Sequence, residues 1–268
     1  MDIPQSSHGR APVDHALTAA ANRAWWDAEA EDYYEEHGSF LGDGDFVWGP
    51  EGWTEEELRV LGDLRGKVVL EIGGGAGQCS RWVRSRGAHA VATDLSGRML
   101  ATGAEINARR PEDAVPLAQC DAVALPFADE CVDIVFTAYG ALPFVADSAG
   151  LLREAARVLR PGGRLAFSTT HPFRWALPDV PDAEGLTVTM SYFDRTPYVE
   201  VDESGRVSYV EHHRTLGDRV REITAAGLRL VDVIEPEWPE RNTEAWGGWS
   251  PLRGELVPGT AIYIADKP

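Results

Sequence analysis

The chain of 268 residues carries 43 acidic and 25 basic side chains, a formal charge of −18, and 44% of its residues are hydrophobic. That composition excludes a disordered chain, and no apolar run approaches the ~18–20 residues of a membrane span. Nucleic acids and anionic membrane surfaces are bound through Lys and Arg, so this balance speaks against both as partners.

The acidity is concentrated early, with 14 acids against 3 arginines in the first sixty residues. Cys79, Cys120 and Cys131 have no metal-like spacing and are too few for a disulfide framework. Met1–His8 has neither the basic nor the apolar region of a secretory signal, so a cytoplasmic protein is expected.

Residues 1–14 hold Pro4, Gly9 and Pro12 without apolar periodicity and read as a frayed leader. From His15 to Glu36 the pattern turns helical: Leu17, Ala21, Trp25 and Ala28 recur at helical steps, and Gly38 reads as the stop. A glycine-rich turn leads to a short helix from about Thr54, opened by Glu55, Glu56 and Glu57. After Gly66, strands (Lys67–Ile72, His89–Thr93, Leu117–Cys120, Val132–Ala138, Arg164–Thr169) alternate with helices (Cys79–Arg86, Met99–Ala108, Gly150–Leu159). That rhythm implies βαβ units and a parallel sheet. Residues 176–211 break it: Thr187–Tyr192 and Val207–Glu211 alternate as half-buried strands about a turn at Asp202–Gly205, an inserted hairpin. A helix over Leu216–Ala225 and strands at Leu228–Ile234 and Ala261–Ala265 complete the chain. The organisation expected is an acidic helical cap over 1–60 and an α/β domain over 61–268 with the insert at about 176–211.

The strongest chemical signal is Val69-Leu70-Glu71-Ile72-Gly73-Gly74-Gly75-Ala76-Gly77-Gln78, a strand running into a glycine loop that opens a helix. Such a loop lets backbone approach a ligand and aims helix N–H groups at it. The dinucleotide fingerprint fails, because Gln78 stands where its last glycine would fall. An acid, Asp94, ends the second strand in Thr93-Asp94-Leu95-Ser96, about twenty residues after the loop. Cys120-Asp121-Ala122, Cys131-Val132-Asp133-Ile134-Val135-Phe136 and Leu159-Arg160-Pro161-Gly162-Gly163 follow in order.

These stations together resemble the class I S-adenosylmethionine-dependent methyltransferases, of the small-molecule, ubiquinone/menaquinone-methyltransferase-like type. The resemblance covers about residues 66–268. It implies a Rossmann-like α/β fold: a seven-stranded, mostly parallel sheet with helices on both faces and an antiparallel last strand. It also implies S-adenosylmethionine as cofactor and a small organic acceptor, and leaves the oligomeric state open. Glu71, Gly73, Gly75 and Gly77 would form the loop against the cofactor. Asp94 would accept the ribose hydroxyls beside Leu95, and Asp121 with Ala122 would meet the adenine. Thr137, in Thr137-Ala138-Tyr139-Gly140, would lie near the cofactor, and Tyr139 would face the methyl group or stack near the acceptor. Tyr33, in Trp26-Asp27-Ala28-Glu29-Ala30-Glu31-Asp32-Tyr33, would either reach the methionine end or simply pack its helix. His171, in Thr170-His171-Pro172, is expected on the ligand side as a proton acceptor or as scaffold. His212 and His213 are further candidates, with a structural role favoured for His213. Nine tryptophans, of which only Trp82 lies in the first βα units, suggest aromatic walls to the acceptor pocket or plain packing of the cap. The rival readings are a protein of this fold that binds S-adenosylmethionine without methylating, and an NAD-dependent oxidoreductase.

Overall fold

A computed structural model describes residues 7–268. Strands β1 (Ser7–Arg10), β2 (Val68–Ile72), β3 (His89–Asp94), β4 (Leu117–Gln119), β5 (Val132–Ala138), β6 (Leu159–Thr170), β7 (Tyr198–Val201), β8 (Val207–Glu211), β9 (Arg229–Ile234) and β10 (Thr260–Asp266) form two sheets. The larger has seven strands in the order β4-β3-β2-β5-β6-β10-β9, parallel except for β10, which runs antiparallel to both neighbours. Helices α1 (His15–Leu41), α2 (Glu55–Leu58), α3 (Gln78–Ser85), α4 (Gly97–Arg109), α5 (Ser148–Val158), α6 (Leu216–Ala225) and α7 (Pro251–Gly254) complete the architecture.

The middle strands are apolar on both faces because both are covered, as parallel sheets require. Alternation along β2 sends Leu70 and Ile72 to one core, with Val135, Leu151, Phe167 and Tyr263, and Val69 to the other, with Val83, Ile134, Phe136 and Ile262. β2 and β5 are neighbours, although β2 continues in sequence into β3 on its other side. Strand order therefore reverses between β2 and β5, and the loops leaving their carboxyl ends open a crevice there.

Three sequence expectations need correction. Ser7–Arg10 is not frayed: it pairs antiparallel with β7, and the second sheet runs β1-β7-β8. The leader's first six residues lie outside the described ones. The hairpin's first strand is Tyr198–Val201 rather than Thr187–Tyr192, because the Asp202–Arg206 turn pairs β8 with the residues directly before it. Thr187–Tyr192 forms no strand and is largely exposed, so its alternation had no core to face. Helix α1 passes through Gly38 and stops at Gly42, whose backbone φ of 68° only glycine adopts readily and whose N–H bonds to the Gly38 carbonyl. Within the expected cap, Phe46 and Trp48 are buried in the core beside Phe136.

Cap and hairpin lock together. Asn22 of α1, itself buried, donates to the Phe144 and Val210 carbonyls and accepts from the Val210 N–H. Ala21, Val199 and Val210 make a small apolar cluster around that bridge. The middle of α1 is tied to the start of α4: Asp27 accepts from the Ser96 hydroxyl at 2.6 Å and the Arg98 N–H at 3.1 Å.

Candidate active site

The crevice between β2 and β5 opens into one cavity of about 350 Å³, in the range of small-molecule sites. Its floor is the glycine loop. Gly73 and Gly75 have backbone φ of 65° and 55°, in the left-handed region. A Cβ on Gly73 would lie 2.7 Å from the Ala141 nitrogen, and one on Gly75 would lie 2.9 Å from the Met99 methyl carbon. The loop is thus packed from behind by β5's exit and by α4, with its open side toward the cavity. Glu71 fixes its base, taking the Ser80 hydroxyl at 2.5 Å and the Ser80 N–H at 3.1 Å. Burial pushes the Glu71 carboxyl up to about 7, against the opposing pull of those hydrogen bonds.

Asp94 stands at the end of β3 and accepts the Gly75 N–H on one oxygen and the Ser96 N–H on the other, both at 2.8 Å. Each oxygen keeps a further lone pair for a ligand. Ser96 caps α4 through its own hydroxyl, which leaves Asp94 free of that duty. Burial holds the Asp94 carboxyl above the usual carboxylate range, against three backbone N–H groups. Asp121 accepts the Val123 N–H at 3.1 Å and meets His15 Nε2 at 2.9 Å, so the cap helix reaches this station. Leu95 and Ala122 line the same wall.

Tyr33 enters from α1, edge-on to Trp26 at 5.3 Å, and burial raises its hydroxyl to about 12. Tyr139 lines the cavity just past β5 with a left-handed φ of 58°, a conformation that costs energy in a non-glycine residue. Its N–H is held by Ser168 Oγ at 2.8 Å, and its hydroxyl accepts from Thr170 at 3.2 Å. Burial keeps that hydroxyl far above the ordinary tyrosine range.

Three expected residues stand outside the cavity lining. Gly77 lies behind the loop as the N-cap of α3, with φ of 80°. Thr137 is buried beneath Gly140. At His171 the geometry fits the scaffold alternative. Nδ1 accepts the Phe173 N–H at 3.1 Å and Nε2 lies 2.8 Å from Glu235, so both ring nitrogens are spent on holding the loop after β6. Burial lowers its pKa, with Glu235 opposing. His212 and His213 are likewise engaged, by the Thr18 hydroxyl and the Tyr192 carbonyl. Among the tryptophans, Trp26, Trp246 and Trp249 line the cavity, while Trp48 is core.

The lining also holds residues that motif reading missed: Arg174, Asp179, Tyr209 and Glu211. Period-two alternation on β8 would have put Tyr209 and Glu211 on one face; nothing in the sequence shows that this face meets the glycine loop's crevice. Altogether the lining carries five carboxyl side chains (Glu71, Asp94, Asp121, Asp179, Glu211) and one guanidinium, an electrostatic match for a cationic ligand. The side-chain-free glycine loop, the open lone pairs of Asp94 and this charge fit S-adenosylmethionine, which carries a sulfonium and an ammonium group.

Comparison with known proteins agrees. Residues 70–167 match the family described as "Methyltransferase domain". The chain is 33% identical over 224 residues to a demethylmenaquinone methyltransferase of Corynebacterium urealyticum, covering 81% of this chain and 83% of that one. It is 34% identical over 169 residues to a ubiquinone/menaquinone biosynthesis C-methyltransferase of Acidiphilium cryptum, covering 58% and 65%. Other demethylmenaquinone methyltransferases are matched over about half their length, such as 49% of one from Mycolicibacterium paratuberculosis. Among solved structures, an S-adenosylmethionine-dependent methyltransferase from Mesorhizobium loti superimposes with a TM-score of 0.64 at 27% identity, over 81% of this chain and all of that one. The fold, the glycine loop and these relatives place the chain in the class I S-adenosylmethionine-dependent methyltransferases, within the group similar to the ubiquinone/menaquinone enzymes.

Proposed function

We propose that the cavity has a cofactor half and an acceptor half, and that the protein methylates a small organic molecule held between them. The observation that carries this reading is continuity: one cavity runs from Asp94 and Asp121 past Tyr139 to Arg174 and Glu211. S-adenosylmethionine supplies a methyl group already activated on sulfur. Glu71 and the Gly73–Gly75 backbone hold its amino-acid end, Asp94 its ribose, and Asp121 with Ala122 its base. Tyr33 and Tyr139 flank the methyl group. Holding an acceptor atom in line with that methyl is the main task left, and positioning alone supplies up to ~7–11 kcal/mol. His171 takes no part in the chemistry, since its ring is committed elsewhere.

The relatives' names point first to demethylmenaquinone, but the polar end built by Arg174, Asp179 and Glu211 suits a smaller, more polar head group. The test is formation of S-adenosylhomocysteine from S-adenosylmethionine, followed by mass spectrometry, with demethylmenaquinone and with small planar heteroaromatic acceptors in parallel. Turnover with a small polar acceptor is expected. Binding of S-adenosylmethionine with no transfer to any of them would favour a repurposed, non-methylating protein.

A further inference from the structure

The acceptor half contains a donor and an acceptor that the fold itself does not need. On β8, Val210 turns into the cluster between cap and hairpin, while Tyr209 and Glu211 turn to the cavity. The Tyr209 hydroxyl donates to Glu211 Oε1 at 2.6 Å, and among the described residues Oε2 has no hydrogen-bond partner. Arg174, on the loop after β6, is anchored at one corner only: Nη2 lies 2.5 Å from Asp179 Oδ2. Its guanidinium sits over the Trp175 ring at 4.9 Å, which fixes its plane and leaves other N–H groups to the cavity. A carboxylate and a guanidinium kept in a partly desolvated space without a direct hydrogen bond to each other cost stability. To keep the Tyr209 hydroxyl bonded, position 211 needs an acceptor but not a charge, and glutamine would supply one.

The walls set the shape of what lies between them. Trp26 meets Phe144 edge-on at 5.6 Å, and Phe144 meets Tyr209 at 5.9 Å. Trp246 stacks on His37 at 4.1 Å from the far side of the cap. Aromatic faces joined in this way favour a flat guest.

We propose that Glu211 and Arg174 select the acceptor: a planar conjugated molecule whose edge carries an O–H or N–H beside a carbonyl oxygen. Glu211 Oε2 accepts the hydrogen bond from the O–H or N–H, and Arg174 donates to the neighbouring oxygen. This rests on the methyltransferase reading and adds the acceptor class to it. The hydrogen bond to Glu211 raises the electron density on the O–H or N–H group, which makes that group a better nucleophile toward the methyl, while Arg174 holds the carbonyl edge in register. Burial raises the Glu211 carboxyl, with Arg174 and the Tyr209 hydroxyl opposing.

The experiment uses the full chain loaded with S-adenosylhomocysteine, and calorimetric titration with two probes. 2-Quinolinone presents the N–H and C=O edge; 1-methyl-2-quinolinone keeps the carbonyl and lacks the donor. The wild type is expected to bind 2-quinolinone about tenfold or more tighter, the discrimination that follows from a hydrogen bond to a charged group. Glu211→Gln should shrink that ratio to under about threefold, because a neutral acceptor bonds more weakly, and Glu211→Leu should erase it. Arg174→Met should weaken both probes alike. S-adenosylhomocysteine affinity should be unchanged in all three variants, which also shows that they are folded. The proposal is overturned if the wild type does not distinguish the probes, if the Glu211 variants distinguish them equally well, or if neither probe binds to the loaded protein. Failure of S-adenosylhomocysteine to bind would instead overturn the methyltransferase reading beneath it.

Discussion

Asp94 shows how one side chain serves both loop and ligand. Its two oxygens hold the Gly75 and Ser96 N–H groups, so the glycine loop is shaped by the acid proposed to take the ribose. Asp94→Ala should therefore weaken S-adenosylmethionine by about 1.5–3 kcal/mol and lower the melting temperature as well, since both backbone donors lose their partner. Calorimetry and a melting curve on the same variant check this; an unchanged affinity would remove Asp94 from the site. His171 is the opposite case. With Nδ1 and Nε2 both bonded within the protein, His171→Ala should lower the melting temperature while S-adenosylmethionine affinity and the pH profile of turnover stay as in the wild type. A fall in turnover of ~10²–10⁴-fold with an altered pH profile would restore it as a base. Asp94 was legible because an acid at the end of a strand, twenty residues past a glycine loop, has a fixed geometry. The choice between base and scaffold at His171 was not legible, because its position after β6 is visible in sequence, whereas its partner Glu235, 64 residues away, is not.

Among elements, the middle strands of the large sheet (β2, β5 and β10) were legible because they bury both faces and so read as largely apolar runs. Val132–Ala138 is found at its expected bounds. The hairpin was only half legible: β8 has a buried neighbour in α1, but its partner strand is defined by turn geometry rather than by hydrophobicity. Where β8 ends, His212 and His213 are buried and neutral. Burial lowers both to about 4, with nearby arginines adding to the effect and the Tyr192 carbonyl opposing it at His213. The unfolded chain takes up protons first as pH falls below the ordinary value of 6.5, so stability is lost between there and about 4. Glu71 and the other raised carboxyls act with the opposite sign, so a variant must be compared with the wild type. His213→Gln keeps a donor for the Tyr192 carbonyl and removes one titration. Its melting temperature should fall less than the wild type's between about pH 7 and about pH 5. An equal fall would mean that His213 is not among the groups that titrate.

At the scale of the molecule, the charge of −18 fits a protein whose cavity attracts a cation, and most of that excess sits in the first sixty residues, where α1 crosses the site. No helix among the described residues is long and apolar enough to cross a membrane. Fold and cofactor loop were readable because they depend on local pattern and ordered spacing. The acceptor end was not, because it assembles Arg174, Glu211 and Tyr139 from three separate segments that only the folded chain brings to one space. The central claim is that this space holds the cofactor at one end and leaves the other for the acceptor. A crystal structure with S-adenosylhomocysteine tests it most directly. The ribose should lie on Asp94, the adenine beside Asp121, and the sulfur should point past Tyr139 toward an open Arg174–Glu211 end. A nucleoside seated at Arg174 and Glu211, or bound away from the glycine loop, would contradict it.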